Sequence, residues 1–256
     1  MVDAPLARKT VIVAGNGRGL GPGIARRFGQ AGAHVVIADT DARTGEDAAR
    51  VLQGEGLSVS YEKLDLRDQA QVTTLVEKVV GDRERIDVWV NNLSVARKGA
   101  AEALTREAWQ ESVDTILSGT FYCSQAVGRH MLAQGRGVIV NVTSVDGYQA
   151  IEGSASSCAA HAGLGMLTQA LGIEWASRGV RVVGIAPGAL TTDFSQNSAN
   201  EGSDVVRAYE RRTPLRRIGT VEEVAEAILY LTGEEASFVI AETMRVDGGW
   251  TAYQLF

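Results

Sequence analysis

Short apolar runs alternate with longer segments whose apolar residues recur at helical spacing, and this alternation constrains the fold more than any other feature of the chain. The runs occupy residues 11–14, 34–38, 59–64, 87–90, 137–142, 180–185 and 238–246. Several are predominantly apolar without strict alternation, as expected of strands covered on both faces. Between them, segments 20–31, 44–52, 69–80, 104–133, 154–177 and 221–231 place apolar residues three and four apart, the mark of helices with one buried face. Strand, helix, strand in this order predicts an α/β fold, a doubly wound parallel sheet with helices on both faces. A length of 256 residues fits one such domain spanning 1–256. The one long irregular stretch, 191–212, is rich in Ser, Asn, Asp and Arg, and is expected to be a substrate lid or, failing that, a surface insertion.

Composition narrows the range of partners. With 25 Lys and Arg against 31 Asp and Glu, the net charge is −6, which argues against nucleic acid or an anionic membrane as the principal partner. An apolar fraction of 45% is too high for a disordered chain. No run approaches the 18 apolar residues of a membrane span, and no export pattern opens the sequence. Cys123 and Cys158 are too few for a disulfide framework and match no metal spacing. The expectation is a cytoplasmic protein with no metal, acting on a small molecule.

The first strand runs into Gly15-Asn16-Gly17-Arg18-Gly19-Leu20-Gly21, followed by Pro22 at the start of a helix. Glycines permit a tight turn and close approach of backbone to a pyrophosphate, and the helix start offers unpaired N–H groups and a positive dipole end. Pro22 suits a first helical turn, where a missing N–H costs nothing. Asp39 ends the second apolar run, 20 residues after Gly19, where a carboxylate accepts ribose hydroxyls and repels a 2′-phosphate. NAD is therefore favoured over NADP. Arg18 is the counterweight, because a guanidinium in the loop can stack on adenine or bind a phosphate.

With the loop and the acid in place, the chain resembles the short-chain dehydrogenase/reductase family, and the likeness runs from residue 10 to about 250. Asp65-Leu66 is similar to the family's adenine-contacting pair, and Asn91-Asn92-Leu93-Ser94 to its turn after the fourth strand. Pro187-Gly188 with Thr191-Thr192 resembles the segment that holds the nicotinamide amide, and Asp247-Gly248-Gly249 the closing turn. The resemblance implies a Rossmann-like fold, an NAD(H)-dependent oxidoreductase of alcohols or carbonyls, and a homotetramer. It also implies a cofactor site made by Gly15, Asn16, Arg18, Gly19, Leu20, Asp39, Asp65, Leu66, Asn92, Ser94, His161, Pro187, Gly188 and Thr192.

The family's acid/base set is altered. Ser144 matches its serine, but thirteen residues on, where Tyr-xxx-Lys would begin, stands Ser157, with His161 at the lysine position and Ile116 at that of the helix asparagine. No lysine follows Lys98, so shifting the frame does not restore the set. Reduction of a carbonyl needs a hydride from the cofactor and a proton from the protein. A phenol can be tuned from about 10 toward neutrality, whereas a serine hydroxyl cannot. The catalytic candidates are thus Ser144, Ser157 and His161. An ordinary imidazole titrates near 6.5 and would exchange protons at neutral pH, through water or Ser157, while also holding the ribose. The alternatives are a packed histidine in an NAD-binding subunit without turnover, or non-redox lyase-type chemistry in the same pocket. Tyr148 is read as packing or as a pocket wall, Cys158 as an inert helix cysteine, and the pairs Arg211-Arg212 and Arg216-Arg217 as paired or solvated charges with an outside role in binding an anion.

Overall fold

The computed structural model describes residues 5–15, 19–95, 97–192 and 204–253. Seven parallel strands form one sheet, β1 (Thr10–Ala14), β2 (His34–Asp39), β3 (Val59–Lys63), β4 (Val88–Asn91), β5 (Gly137–Val142), β6 (Val180–Pro187) and β7 (Thr243–Val246). Their spatial order is β3-β2-β1-β4-β5-β6-β7. The chain therefore reverses its direction of winding between β1 and β4, and the connections leaving those two strands run to opposite faces of the sheet, which opens a crevice beyond their ends. This is the doubly wound, Rossmann-like architecture predicted from the alternation.

Helices cover both faces because the strands are apolar on both. Val11 and Val13 of β1 face one layer, where α1 (Leu20–Gln30) contributes Ile24 and Phe28, and α8 (Val221–Thr232) contributes Val224 and Ile228. Ile12 and Ala14 face the other layer, built by Val72 and Val76 of α3 (Gln69–Arg83) and by Val127 and Met131 of α5 (Thr120–Gln134). All of β1 is buried, and each large side chain so covered stabilises the fold by roughly 1.5–3 kcal/mol. Of the remaining helices, α2 (Ala42–Gly54) begins on Asp41, whose carboxylate accepts the Thr44 N–H, and α6 (Ala155–Trp175) packs beside β6.

A buried polar ladder crosses the second layer. The Trp89 indole donates to Asn91 Oδ1 at 2.7 Å, and Asn91 Nδ2 donates to Ser124 Oγ at 3.0 Å and to Asn141 Oδ1 at 2.9 Å. Asn141 Nδ2 then donates to Thr168 Oγ1 at 2.9 Å, and the threonine hydroxyl donates to Leu164 O. Asn91 and Asn141 are paired in the β4–β5 register, so one chain of hydrogen bonds ties two central strands to α5 and α6.

Three expectations are corrected. The helix expected over 104–133 is broken into α4 (Arg106–Ser112), a π turn (Val113–Gly119) and α5; the wider turn seats Ile116 fully buried against Ala160 and Leu164. The strand expected over 238–246 is confined to Thr243–Val246. Phe238 is fully exposed, and the backbone nearby is held by Arg181, whose guanidinium donates to Leu231 O, Gly233 O and Val239 O. Within the stretch 191–212, residues 193–203 lie outside the described residues, but Asp204–Arg212 is a helix, α7. Its polar composition hides a narrow apolar edge: Tyr209 stacks on Trp250 at 5.2 Å between ring centroids, and Arg212 lies 4.4 Å above the same ring.

Candidate active site

The crevice beyond β1 and β4 is shaped first by backbone. Gly15 has φ +93°, and a Cβ there would fall 2.7 Å from Asn92 O. The Gly15 N–H donates to Ala38 O at 2.8 Å and the Asn92 N–H to Ala14 O at 2.7 Å, while Asn92 Nδ2 donates to Gly15 O at 3.4 Å. A left-handed glycine pressed against the next strand's turn leaves the chain end bare of side chain, as close approach of a pyrophosphate requires. Gly19 precedes α1 and has no side chain with which to cap it, so the helix start keeps donors available to an anion. Asn16 and Arg18 lie outside the described residues.

On one side of Gly15 a hollow is lined by Asp39, Asp65, Leu66 and Ser94. Asp39 Oδ1 accepts the Asp41 N–H at 3.0 Å and the Thr40 hydroxyl at 3.3 Å, which fixes the carboxylate at the strand end. The Tyr61 hydroxyl donates to Asp39 O at 2.8 Å; burial and the charges of Asp39, Asp41 and Glu46 push that phenol up to about 12. Among the described residues lining this hollow the one cation is Arg67, and it is committed to Asp65 at 2.7 Å. That pairing holds the Asp65 carboxyl below its ordinary range despite some burial.

On the other side a cavity of about 290 Å³ brings together Leu20, Asn92, Ser94, Ser144, Ser157, His161, Pro187, Gly188 and Thr192. They come from the ends of several strands and helices: Asn92 and Ser94 follow β4, Ser144 follows β5, Ser157 and His161 lie one turn apart on α6, and Pro187 ends β6. The turn Val145–Gly147 lies tight against α6, where a Cβ on Gly147 would fall 2.9 Å from the His161 carbonyl carbon. This close packing brings Asp146 onto the site. Ser144 Oγ accepts the Asp146 N–H at 3.2 Å, and Ser157 Oγ donates to Asp146 Oδ2 at 3.0 Å.

His161 is 7% exposed. Desolvation lowers its pKa from 6.5 to about 4, with the nearby Asp146 carboxylate opposing that fall. The imidazole is therefore neutral at pH 7, and the expectation that it titrates near neutrality is corrected: burial outweighs the favourable charge. Its Nδ1 is buried with no hydrogen-bond partner. The bare cradle at Gly15 fits the close approach of a dinucleotide's pyrophosphate.

Asp146, Arg97 and Lys98 line this cavity but were not among the residues expected from sequence. An acid two places after Ser144, in the same strand-end turn, was the available signal for the first. Arg97 is held by Glu111 at 2.6 Å. Tyr148 is not a wall of the cavity; it is 45% exposed with the Arg245 guanidinium 5.6 Å from its ring. Arg217 pairs with Glu223 at 2.5 Å and Arg216 donates to Arg211 O, so these charges serve the local structure. Cys123 is wholly buried, which pushes its thiol up. His34 bonds Ser58 Oγ at 2.8 Å. Among the described residues no group of three His, Cys, Asp or Glu is placed to hold a metal, and no helix is long and apolar enough to cross a membrane.

The fold and this cleft define a doubly wound α/β protein with a cleft beyond its switch point, and comparison with known proteins gives its family. The family model described as enoyl-(acyl carrier protein) reductase matches residues 14–251. The cis-4-hydroxycyclohexanecarboxylate dehydrogenase of Sinomonas cyclohexanicum is 35% identical over 247 residues, covering 96% of this chain and 98% of that protein. The 3beta-hydroxysteroid dehydrogenase 1 of Eggerthella lenta is 34% identical, with 98% and 97% covered. A crystal structure of a gluconate 5-dehydrogenase from Burkholderia cenocepacia, in complex with NADP and tartrate, superposes with a TM-score of 0.91 at 30% identity and 98% coverage of both chains. The chain belongs to the short-chain dehydrogenase/reductase family, whose members named here are oxidoreductases.

Proposed function

We propose that this protein is an NAD(H)-dependent oxidoreductase of a small alcohol or carbonyl, with a proton-transfer site rebuilt without the family's Tyr, Lys and Asn. The observation that carries the reading is the pair of hydroxyls, Ser144 and Ser157, opening on the same cavity as Asn92, Pro187 and Gly188, beside a hollow that ends at Asp39. Gly15, Gly19, Leu20, Asp39, Asp65, Leu66, Asn92, Ser94, Pro187, Gly188 and Thr192 would hold the dinucleotide, with His161 beside its ribose and Asn16 and Arg18 adding contacts from the glycine-rich segment. When bound, the nicotinamide supplies or takes up a hydride. Ser144 and Ser157 then hold the substrate oxygen. The Asp39 carboxylate disfavours a 2′-phosphate, which supports NAD over NADP.

Arg97 and Lys98 at the cavity favour a substrate carrying a carboxylate, a property that the names of two relatives also carry. We further propose a cytoplasmic homotetramer. Ile173 and Met166 on α6 are 74% and 62% exposed, apolar surface on one of the helices that pair in the family.

A second reading, an NAD-binding subunit without turnover, is favoured by one feature: Ile116 and a neutral His161 stand where the family keeps polar groups. Titration with NADH, NADPH and NAD⁺, followed by nicotinamide fluorescence, tests both. Micromolar NADH binding with weaker NADPH supports the dinucleotide site. Hydride transfer from bound NADH to any carbonyl in a single turnover then favours the first reading, and its absence across a panel of oxo-carboxylates, ketones and sugar acids favours the second. No binding of any nucleotide overturns both.

A further inference from the structure

A hydroxyl that loses hydride must also lose a proton, and the surroundings of Ser157 leave few places for that proton to go. Behind Ser157 lies the buried apolar cluster of Ile116, Ala160 and Leu164, against which Val95, Leu117 and Leu167 pack, and the buried hydroxyls of Ser112 and Ser156 are engaged with each other at 2.9 Å. His161, one turn along α6, is almost wholly buried. On the open side, the Ser157 hydroxyl points to Asp146 Oδ2 at 3.0 Å, and Asp146 lines the cavity while remaining partly exposed. Its backbone N–H is fixed by Ser144 Oγ, so the serine at the end of β5 and the serine on α6 meet the same residue.

Resting on the oxidoreductase reading above, we propose that Asp146 is the terminal proton acceptor of this site, reached from the substrate through Ser157. In alcohol oxidation the substrate O–H bond breaks as its proton passes to Ser157 Oγ, while the Ser157 O–H bond breaks as its proton passes to Asp146 Oδ2. The electron pair of the carbinol C–H bond leaves as hydride to the nicotinamide. The products are the carbonyl, the reduced nicotinamide and a neutral Asp146 carboxyl, which returns its proton to water at the cavity mouth. Reduction runs the same steps backwards and draws on the protonated carboxyl. Charged and titratable groups facing this position are Arg97 and Lys98 from the loop after β4, and His161 from α6; Arg97 is already engaged by Glu111.

The test uses the full chain loaded with NAD⁺ and the variants Asp146→Asn, Asp146→Glu and Ser157→Ala, each checked for an unchanged thermal midpoint. Infrared difference spectra on acidification are expected to show a protonated-carboxyl band that is missing in Asp146→Asn and displaced in Ser157→Ala. In steady-state oxidation, Asp146→Asn is expected to lower kcat by about 100-fold or more with little change in KM, and to remove the acid limb of the pH profile. Asp146→Glu should recover part of the loss. A carboxyl band indifferent to Ser157→Ala, or a kcat and acid limb unchanged in Asp146→Asn, overturns the relay. The infrared reading needs no turnover, so a wild-type protein that binds NAD⁺ but oxidises nothing strikes the oxidoreductase reading, while an indifferent band strikes Asp146 alone.

Discussion

Replacing His161 by Gln should change how the stability of this protein depends on pH. In the folded chain burial holds the imidazole at about 4, against an ordinary 6.5. Protons therefore bind His161 more readily in the unfolded state, and acid favours unfolding. The contribution is fully present above pH 6.5, is lost progressively as pH falls from 6.5 toward 4, and changes no further below that. A fall from 6.5 to about 4 corresponds to roughly 3 kcal/mol. Glutamine has no such titration, so the wild-type stability, measured relative to His161→Gln, should drop by about this amount between pH 7 and pH 4. Other groups with lowered values, such as Asp87 and Glu223, cancel in the difference. Urea unfolding of both proteins at half-unit pH intervals gives the two curves, and the imidazole proton resonances of His161 give its titration directly. Parallel stability curves, or a His161 midpoint near 6.5, would refute the argument from desolvation and restore the imidazole as a candidate acid at neutral pH.

Three further outcomes are expected. Gly15→Ala, which needs a Cβ 2.7 Å from Asn92 O at φ +93°, should destabilise the fold by about 1–3 kcal/mol in urea unfolding and weaken NADH binding by nicotinamide fluorescence. Asp39→Ser removes the carboxylate that faces a 2′-phosphate, and the ratio of NADPH to NADH affinity, measured by the same titration, should rise at least about tenfold. Asn141→Ala strips partners from Asn91 and Thr168 inside a buried layer, and should cost about 1–3 kcal/mol in denaturant unfolding while leaving NADH affinity close to that of the wild type.

The sheet was legible because its central strands β1, β2, β4, β5 and β6 are mostly apolar, and burial on both faces leaves few other folds. The turn that opens the cleft was legible for a related reason: Gly15 is held at a backbone angle that few residues adopt, so the requirement shows in the residue type. Asp146 was not legible. An aspartate in a turn after a strand is ordinary in isolation, and its meaning comes from Gly147 packing on α6, which brings positions 146 and 157 together. The fate of His161 was hidden likewise, since a histidine's titration depends on what covers it. Helix α7 was missed because its anchor, Trp250, lies about forty residues further along the chain. The π turn was missed because apolar spacing over 104–133 fits a straight helix nearly as well, and the seating of Ile116 against α6 becomes visible only in the packed structure.

The polar ladder through Asn91 and Asn141 also guards the folding reaction. Strands as uniformly apolar as β4 and β5 would tolerate sliding past each other, because every register buries hydrophobic side chains. A slip of one residue would turn Asn141 to the opposite face of the sheet, away from Thr168 and from Asn91. Each amide then left unpaired in an apolar layer costs about 1–3 kcal/mol. Pairings displaced by one residue are thereby raised in energy relative to the native register. Amide protons of β4 and β5 should accordingly be among the slowest to exchange with deuterium, and their early protection would mark the moment at which the register is chosen.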